Sequence, residues 1–409
     1  MLTTLIPLFD RDLNVSAYSI FSQKRDLLMN PALQGTGVND NAGDIPGFEV
    51  IREAGIETLS PDAPVFVPVG NIAVFSDVAA QCGELPHDKI VLLIDNNFQG
   101  TPQYLDRIKT LKADGFLFAI RKLQTTEFAK LSGILQLMDY IIFDCRQVDV
   151  AKAKIFFAKM FPNVKIIIGN LDDDEAFEKY RMDYGFCMFE GNFYRIPVNH
   201  GEKGVSAVKA TYLELLNTVN EPDYELTDAA DVIGRDTALV VELLKTVNRM
   251  AVNSEVTSIR HATAMLGQKN LKRWINTIAA KELCSDKPSE ITRISLLRAK
   301  FAENLAPLFE MAGNSSELFL MGLFSVIDLI LDLPMEEALK KVLLSRQISN
   351  ALLTGKGDFA EILRFMEAYE NANWQEVARV MLIKGIKDKD VYIAYLSAFS
   401  WYRQLINIK

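Results

Sequence analysis

Histidine is scarce: only His87, His200 and His261 occur in 409 residues. No two stand three or four apart, which excludes the helical His pair that a hydrolytic metal centre commonly uses. Cysteine is also sparse. Cys82, Cys145, Cys187 and Cys284 form no C-x-x-C pair, a pattern that suits reduced, buried thiols better than disulfides or a zinc site. There is no G-x-S-x-G elbow, no P-loop and no G-x-G-x-x-G after a strand. "TGKGD" (354–358) lacks P-loop spacing and reads as a turn between helices. No long apolar run is present either. The longest, "LFLMGLFSVIDLILDL" (318–333), contains Asp328 and Asp332 and predicts a buried core helix, not a span. "MLTTLIPLFDRD" has no basic stretch before its apolar residues, so no signal peptide is expected and the predicted location is cytoplasmic. A net charge of −9 argues against a nucleic-acid partner, and no low-complexity tract suggests disorder.

What is present divides into two halves with different periods. The first contains eight short apolar runs: "TLIPLF", "VSAYSIF", "VFVPV", "KIVLLID", "FLFAI", "YIIFD", "KIIIGN" and "GFCMF". They are mostly continuous rather than alternating, as strands buried on both faces are. Helix-like segments such as "TPQYLDRIKTLKADG" and "TTEFAKLSGILQLM" lie between them. This predicts a (β/α)8 TIM-type barrel, with a doubly wound open sheet as the competing architecture. Only "DRDLN" joins the first two runs, too little for a crossover helix, so they should pair as a hairpin.

From about residue 200 the pattern is helical. "HGEKG" (200–204) reads as a linker. In "DTALVVELLKTVNRM", Asp236 is a natural N-cap and Leu239, Leu243, Val247 and Met250 share one face. "DLPMEEALKKVL" suggests an Asp332 cap with Pro334 near the first turn, and "NANWQEVARVML" gives Asn373 and Glu376 capping-box spacing. The expected domains are 1–199, an α/β barrel, and 200–409, an all-α domain.

Three features carry candidate chemistry. Arg121 and Lys122 end an apolar strand, where they could grip a phosphate or stand as a solvated charge pair. The acids of "LDDDEAF" (171–177) could bind a metal, but their position predicts helix capping. The aromatic tail "VYIAYLSAFSWYRQLI" (391–406) reads as core packing, or else as an interaction surface.

"IPLFDRDLNVSAYSIFSQ" (6–23) resembles the opening strand pair of EAL domains, the barrel phosphodiesterases that hydrolyse cyclic di-GMP. "LTDAADVIGRDTALVVELLKTVNR" and "SIRHATAMLGQKNLKRW" (within 226–274) resemble an HDOD domain, a helical relative of the HD hydrolases; "ELFLMGLFSVIDLILDLPMEEAL" and "ALLTGKGDFAEILRFMEAYENANW" extend the likeness towards the end of the chain. The whole looks like a bacterial two-domain EAL–HDOD signalling protein. Family catalysis implies carboxylates, an amide and a lysine at strand ends, holding divalent metals. Local matching puts those positions at Ser19, Pro68, Leu93, Arg121 and Lys122, Ile142, Gly169 and Glu190. In the second half, the HD-type ligand pair falls on Ser325 and Val326, with Asp328 remaining; HDOD domains as a family lack those ligands.

The resemblance therefore implies a degenerate EAL-like domain with no catalytic residues, no metal and no cofactor. The expected function is non-catalytic signal transduction through protein–protein contacts, in processes related to cyclic di-GMP, with unidentified signalling proteins as partners and no membrane partner. The alternative is a receptor that binds cyclic di-GMP or another phosphate-containing ligand without cleaving it. Its candidate residues, in a vestigial pocket, are Arg121, Lys122, Asp144 and Glu190.

Overall fold

A computed structural model describes residues 1–23, 43–60, 63–98, 100–195, 207–250, 256–287 and 289–406. The expected junction at 199/200, the linker 200–204 and His200 lie outside the described residues. The chain divides into two compact units: Met1–Ile196 with Phe365–Lys409, and Pro197–Arg364.

The first unit is a closed eight-stranded barrel in sequential order. Its strands are β1 (Leu2–Phe9), β2 (Val15–Gln23), β3 (Val65–Pro68), β4 (Ile90–Asp95), β5 (Leu117–Arg121), β6 (Tyr140–Asp144), β7 (Lys165–Leu171) and β8 (Phe186–Gly191). Each contains one of the apolar runs. Closure excludes the open doubly wound sheet. As the short connection requires, β1 and β2 form an antiparallel hairpin; β1 also runs antiparallel to β8, and β2 to β8 are parallel to one another. The start of β1 therefore lies at the end of the barrel where the other strands finish.

Leu8, Ala17, Phe66, Val91, Leu93, Ala119, Tyr140, Ile142, Ile167 and Met188 form the barrel core. Because side chains alternate across a strand, this set fixes which positions face inward. The expected helix at 102–113 forms as Pro102–Ala113. "TTEFAKLSGILQLM" instead breaks into a 3-10 turn, Thr125–Glu127, and a four-residue helix, Ser132–Leu135. Its β-branched pair and Gly133 weaken a continuous helix. The acids at 173–175 serve the next helix: Asp173 caps it through the Ala176 N–H at 2.8 Å, and Asp174 and Glu175 lie in its first turn, while Asp172 pairs with Arg146.

The last three helices divide differently from expectation. Residues 200–409 are not one body, because Phe365–Lys409 groups with the barrel. Tyr369, Val391, Tyr395, Ala398 and Phe399 are buried there. The Tyr369 hydroxyl accepts from the Thr3 N–H at 3.2 Å, and Thr4 Oγ1 donates to the Glu370 carbonyl at 3.4 Å. The Tyr395 ring packs at a tilt on Tyr369, centroids 4.8 Å apart, and Tyr392 donates to Glu53. The aromatic tail is thus core packing at the strand-finishing end of the barrel.

The second unit is helical. Asp236 caps Thr237–Asn248, accepting from the N–H groups of Ala238 and Leu239. The apolar run 318–333 folds as two helices, Ser315–Phe324 and Ile327–Leu331, instead of one. Asp332 does not cap the next helix; it ends Ile327–Leu331 in a left-handed conformation (φ 54°), and Pro334 holds the N-cap position of Met335–Leu339. Among the described residues no helix is long and apolar enough to cross a membrane. All four cysteines are free. Cys82 and Cys284 are buried, and burial pushes their thiols up to about 11 and about 12; Cys145 and Cys187 are partly exposed.

Candidate functional site

Period-two alternation carries the inner face of the barrel up to its mouth. Ala17 leads to Ser19, Phe66 to Pro68, Ala119 to Arg121, Ile167 to Gly169 and Met188 to Glu190. With Leu93 and Ile142, every position that the family comparison in the sequence singled out faces inward, except Lys122. A Cβ on Gly169 would lie 3.2 Å from Ile142 Cγ2 and 3.8 Å from Glu190 Oε1, so these three positions converge.

Arg121 and Glu190 meet inside the mouth, with Nη2 3.8 Å from Oε1. The guanidinium also lies 5.0 Å from the centroid of the Phe21 ring. Glu190 is 6% exposed. Burial raises its carboxyl above the ordinary value, Arg121 pulls it down in part, and the Asp144 charge pushes it up again. Arg121 Nη1, Glu190 Oε2 and Ser19 Oγ are buried without a hydrogen-bond partner. The pair is mostly buried, and one polar atom of each partner is left unsatisfied, an arrangement that costs stability compared with apolar packing.

Lys122 has turned away. Its backbone is left-handed (φ 61°), its side chain is 65% exposed, and its ammonium stands 4.0 Å from Asp95 Oδ2. Reading Arg121 and Lys122 as one solvated pair fails for this reason: the first is inside, the second on the rim. Asp144, half-buried, accepts from the Arg146 N–H at 2.9 Å. The structure thus gathers Arg121, Glu190 and Asp144 at the mouth and leaves Lys122 beside Asp95.

A cavity of about 310 Å³ opens here, lined in part by Phe21, Pro68, Asp95, Arg121, Lys122 and Trp374. Sequence reasoning missed Phe21 and Trp374. Alternation from Ala17 and Ser19 could have found Phe21, but Trp374 comes from a helix almost 200 residues beyond the barrel and had no local signal. A metal of the EAL type fits these residues poorly. Among the described residues no three His, Cys, Asp or Glu side chains converge as a metal site requires.

In the helical unit, Ser325 is held by Arg298, whose Nη1 donates to Ser325 Oγ at 3.1 Å, and Ser325 Oγ donates to the Gly322 carbonyl at 2.7 Å. Burial raises the Asp328 carboxyl, and the Arg298 charge offsets part of that rise. The positions matched to the hydrolase ligand pair are occupied by helix-end packing around a buried arginine. His87 stacks at 4.1 Å on Phe116, with Nδ1 2.7 Å from the Asp114 carbonyl oxygen, and His261 is exposed.

The architecture is a closed eight-stranded barrel followed in sequence by a helical region. Residues 206–354 match the HDOD domain, and the chain carries that domain. Among individual proteins, the chain is 26% identical over 413 residues to the uncharacterized protein YuxH of Bacillus subtilis, covering 98% of each chain. It is 25% identical over 331 residues to the cyclic di-GMP phosphodiesterase CdgJ of Vibrio cholerae, covering 78% of this chain and 75% of that one. The EAL domain of Mycobacterium smegmatis DcpA aligns with 46% of this chain and 89% of its own, at 14% identity and a TM-score of 0.36.

Proposed function

We propose that this chain is a non-hydrolysing signalling protein related to cyclic di-GMP pathways, acting through contacts with other proteins. Similarity to the phosphodiesterase CdgJ supports the signalling context. One observation carries the departure from hydrolysis: the Arg121 guanidinium sits inside the barrel mouth, 3.8 Å from Glu190. A dication about 4 Å from that cation would be opposed by about 8 kcal/mol at an effective dielectric near 20. Among the described residues of the mouth, the buried carboxylate of Glu190 is already engaged by an arginine. The test is a turnover assay of the full chain with cyclic di-GMP in magnesium or manganese, run beside affinity capture of partners. Metal-dependent cleavage would end this reading; its absence with recovery of a discrete partner supports it.

A second reading is favoured by the mouth cavity, where the aromatic rings of Phe21 and Trp374 share one space with Arg121 and Lys122. Rings and cations together suit a phosphate ester bearing a base, held without cleavage. Isothermal titration with cyclic di-GMP distinguishes the two: saturable heat lost in Trp374→Ala supports the receptor, and no heat at high micromolar ligand removes it for that ligand.

A further inference from the structure

The HDOD domain contains a cavity of about 180 Å³, independent of the barrel mouth and of the function proposed for it. Lys269, Lys272 and Arg273 line it from the helix Ile259–Leu283, and Ser315 and Ser316 from the first turn of Ser315–Phe324. No side chain accepts from the first N–H groups of that ten-residue helix, although the preceding 3-10 turn takes the Ser315 N–H and Glu317 already stands in the first turn, so an anion there would share the helix dipole with that carboxylate. Glu303 also lines the cavity, but Arg273 grips it through two bonds of 2.8 and 2.7 Å and Lys300 adds a third at 2.8 Å. Lys272 differs. It is half-buried, burial pulls its ammonium below the ordinary lysine range, and the influence of Glu317 offsets only part of this. Among the described residues no carboxylate lies within ion-pair distance of it.

Asn276 supplies the second observation. It lines the same cavity and is 1% exposed. Its Nδ2 donates to the Lys272 carbonyl at 2.8 Å, while Oδ1 has no hydrogen-bond partner. A buried acceptor left open costs about 1–3 kcal/mol, which a ligand bringing a donor would recover. Phe319 and Leu320 form an apolar part of the wall. The space corresponds to roughly six waters.

We propose that this cavity binds a small phosphate monoester carrying a hydroxyl: the phosphate against Lys272 and the first turn at Ser316, the hydroxyl donating to Asn276 Oδ1. Neither a purely apolar ligand nor a cation answers this combination of groups.

The test is calorimetric titration of the full chain with glycerol phosphate, with sulfate as the dianion that lacks a hydroxyl. Two variants accompany it. Lys272→Met removes the charge and keeps the stem. Ser316→Asp puts a carboxylate where the anion would sit, yet suits a helix first turn, so folding is retained. Saturable binding of glycerol phosphate, weakened at least about tenfold in both variants and weaker for sulfate, is the expected result. Absence of saturable binding up to about 10 mM, or equal affinity in Ser316→Asp and the wild type, would overturn the proposal. Equal affinity for sulfate and glycerol phosphate would overturn the role given to Asn276.

Discussion

Arg121 Nη2 and Glu190 Oε1 stand 3.8 Å apart inside the barrel, at the ends of two strands that are not neighbours in the sheet. Glu190 has little solvent around it, so the nearby cation is the main charge that favours its ionised form.

The pH dependence of stability reports on this pair. The Glu190 carboxyl is raised above its ordinary 4.5 in the folded chain. From that value up to the folded one, the native state keeps a proton that the unfolded state has released. Stability therefore falls as pH rises through this window. Glu190→Gln should abolish that contribution, and Arg121→Met should extend it to higher pH because the restraining cation is gone. Urea unfolding at a series of pH values upward from 4.5 checks both; parallel curves for wild type and Glu190→Gln would contradict it.

The C-terminal helices are held by a hydrogen bond that spans the sequence. Tyr369 is fully buried, and its hydroxyl accepts from the N–H of Thr3, itself 1% exposed. Tyr369→Phe leaves that N–H without its partner and should cost about 1–3 kcal/mol. Chemical denaturation measures the loss, and hydrogen exchange should show faster exchange at Thr3.

Within the HDOD domain, Gly322 permits close helix packing. A Cβ there would run into the Arg298 carbonyl oxygen, with backbone rather than a yielding side chain as the obstacle. Gly322→Ala should destabilise by about 1–3 kcal/mol through overpacking, although alanine favours an isolated helix by about 1 kcal/mol. A rise in melting temperature would show that the helices separate freely.

The strands were legible because each is a short continuous apolar run, and the hairpin because five residues cannot cross a sheet. Helix caps at Asp236 and Asn373 were legible from local spacing, and both accept first-turn N–H groups. Asp332 misled because an Asp two residues ahead of a Pro reads equally as the end of one helix or the start of another. The placement of residues 365–409 was hidden for a different reason. An amphipathic helix declares that it has an apolar face, not what covers it, and Tyr369 meets a strand 366 residues away. At the site, alternation predicts that one of Arg121 and Lys122 faces inward. Only the left-handed backbone at Lys122 settles where the other goes.

Manganese binding by the purified full chain, read by electron paramagnetic resonance, tests the central claim most directly. The arginine in the mouth predicts that added manganese stays free in the wild type, and that Arg121→Asp, which sets a carboxylate on the inner face with Glu190 and Asp144, gains a site. Stoichiometric binding to the wild type that is lost in Glu190→Gln would contradict it.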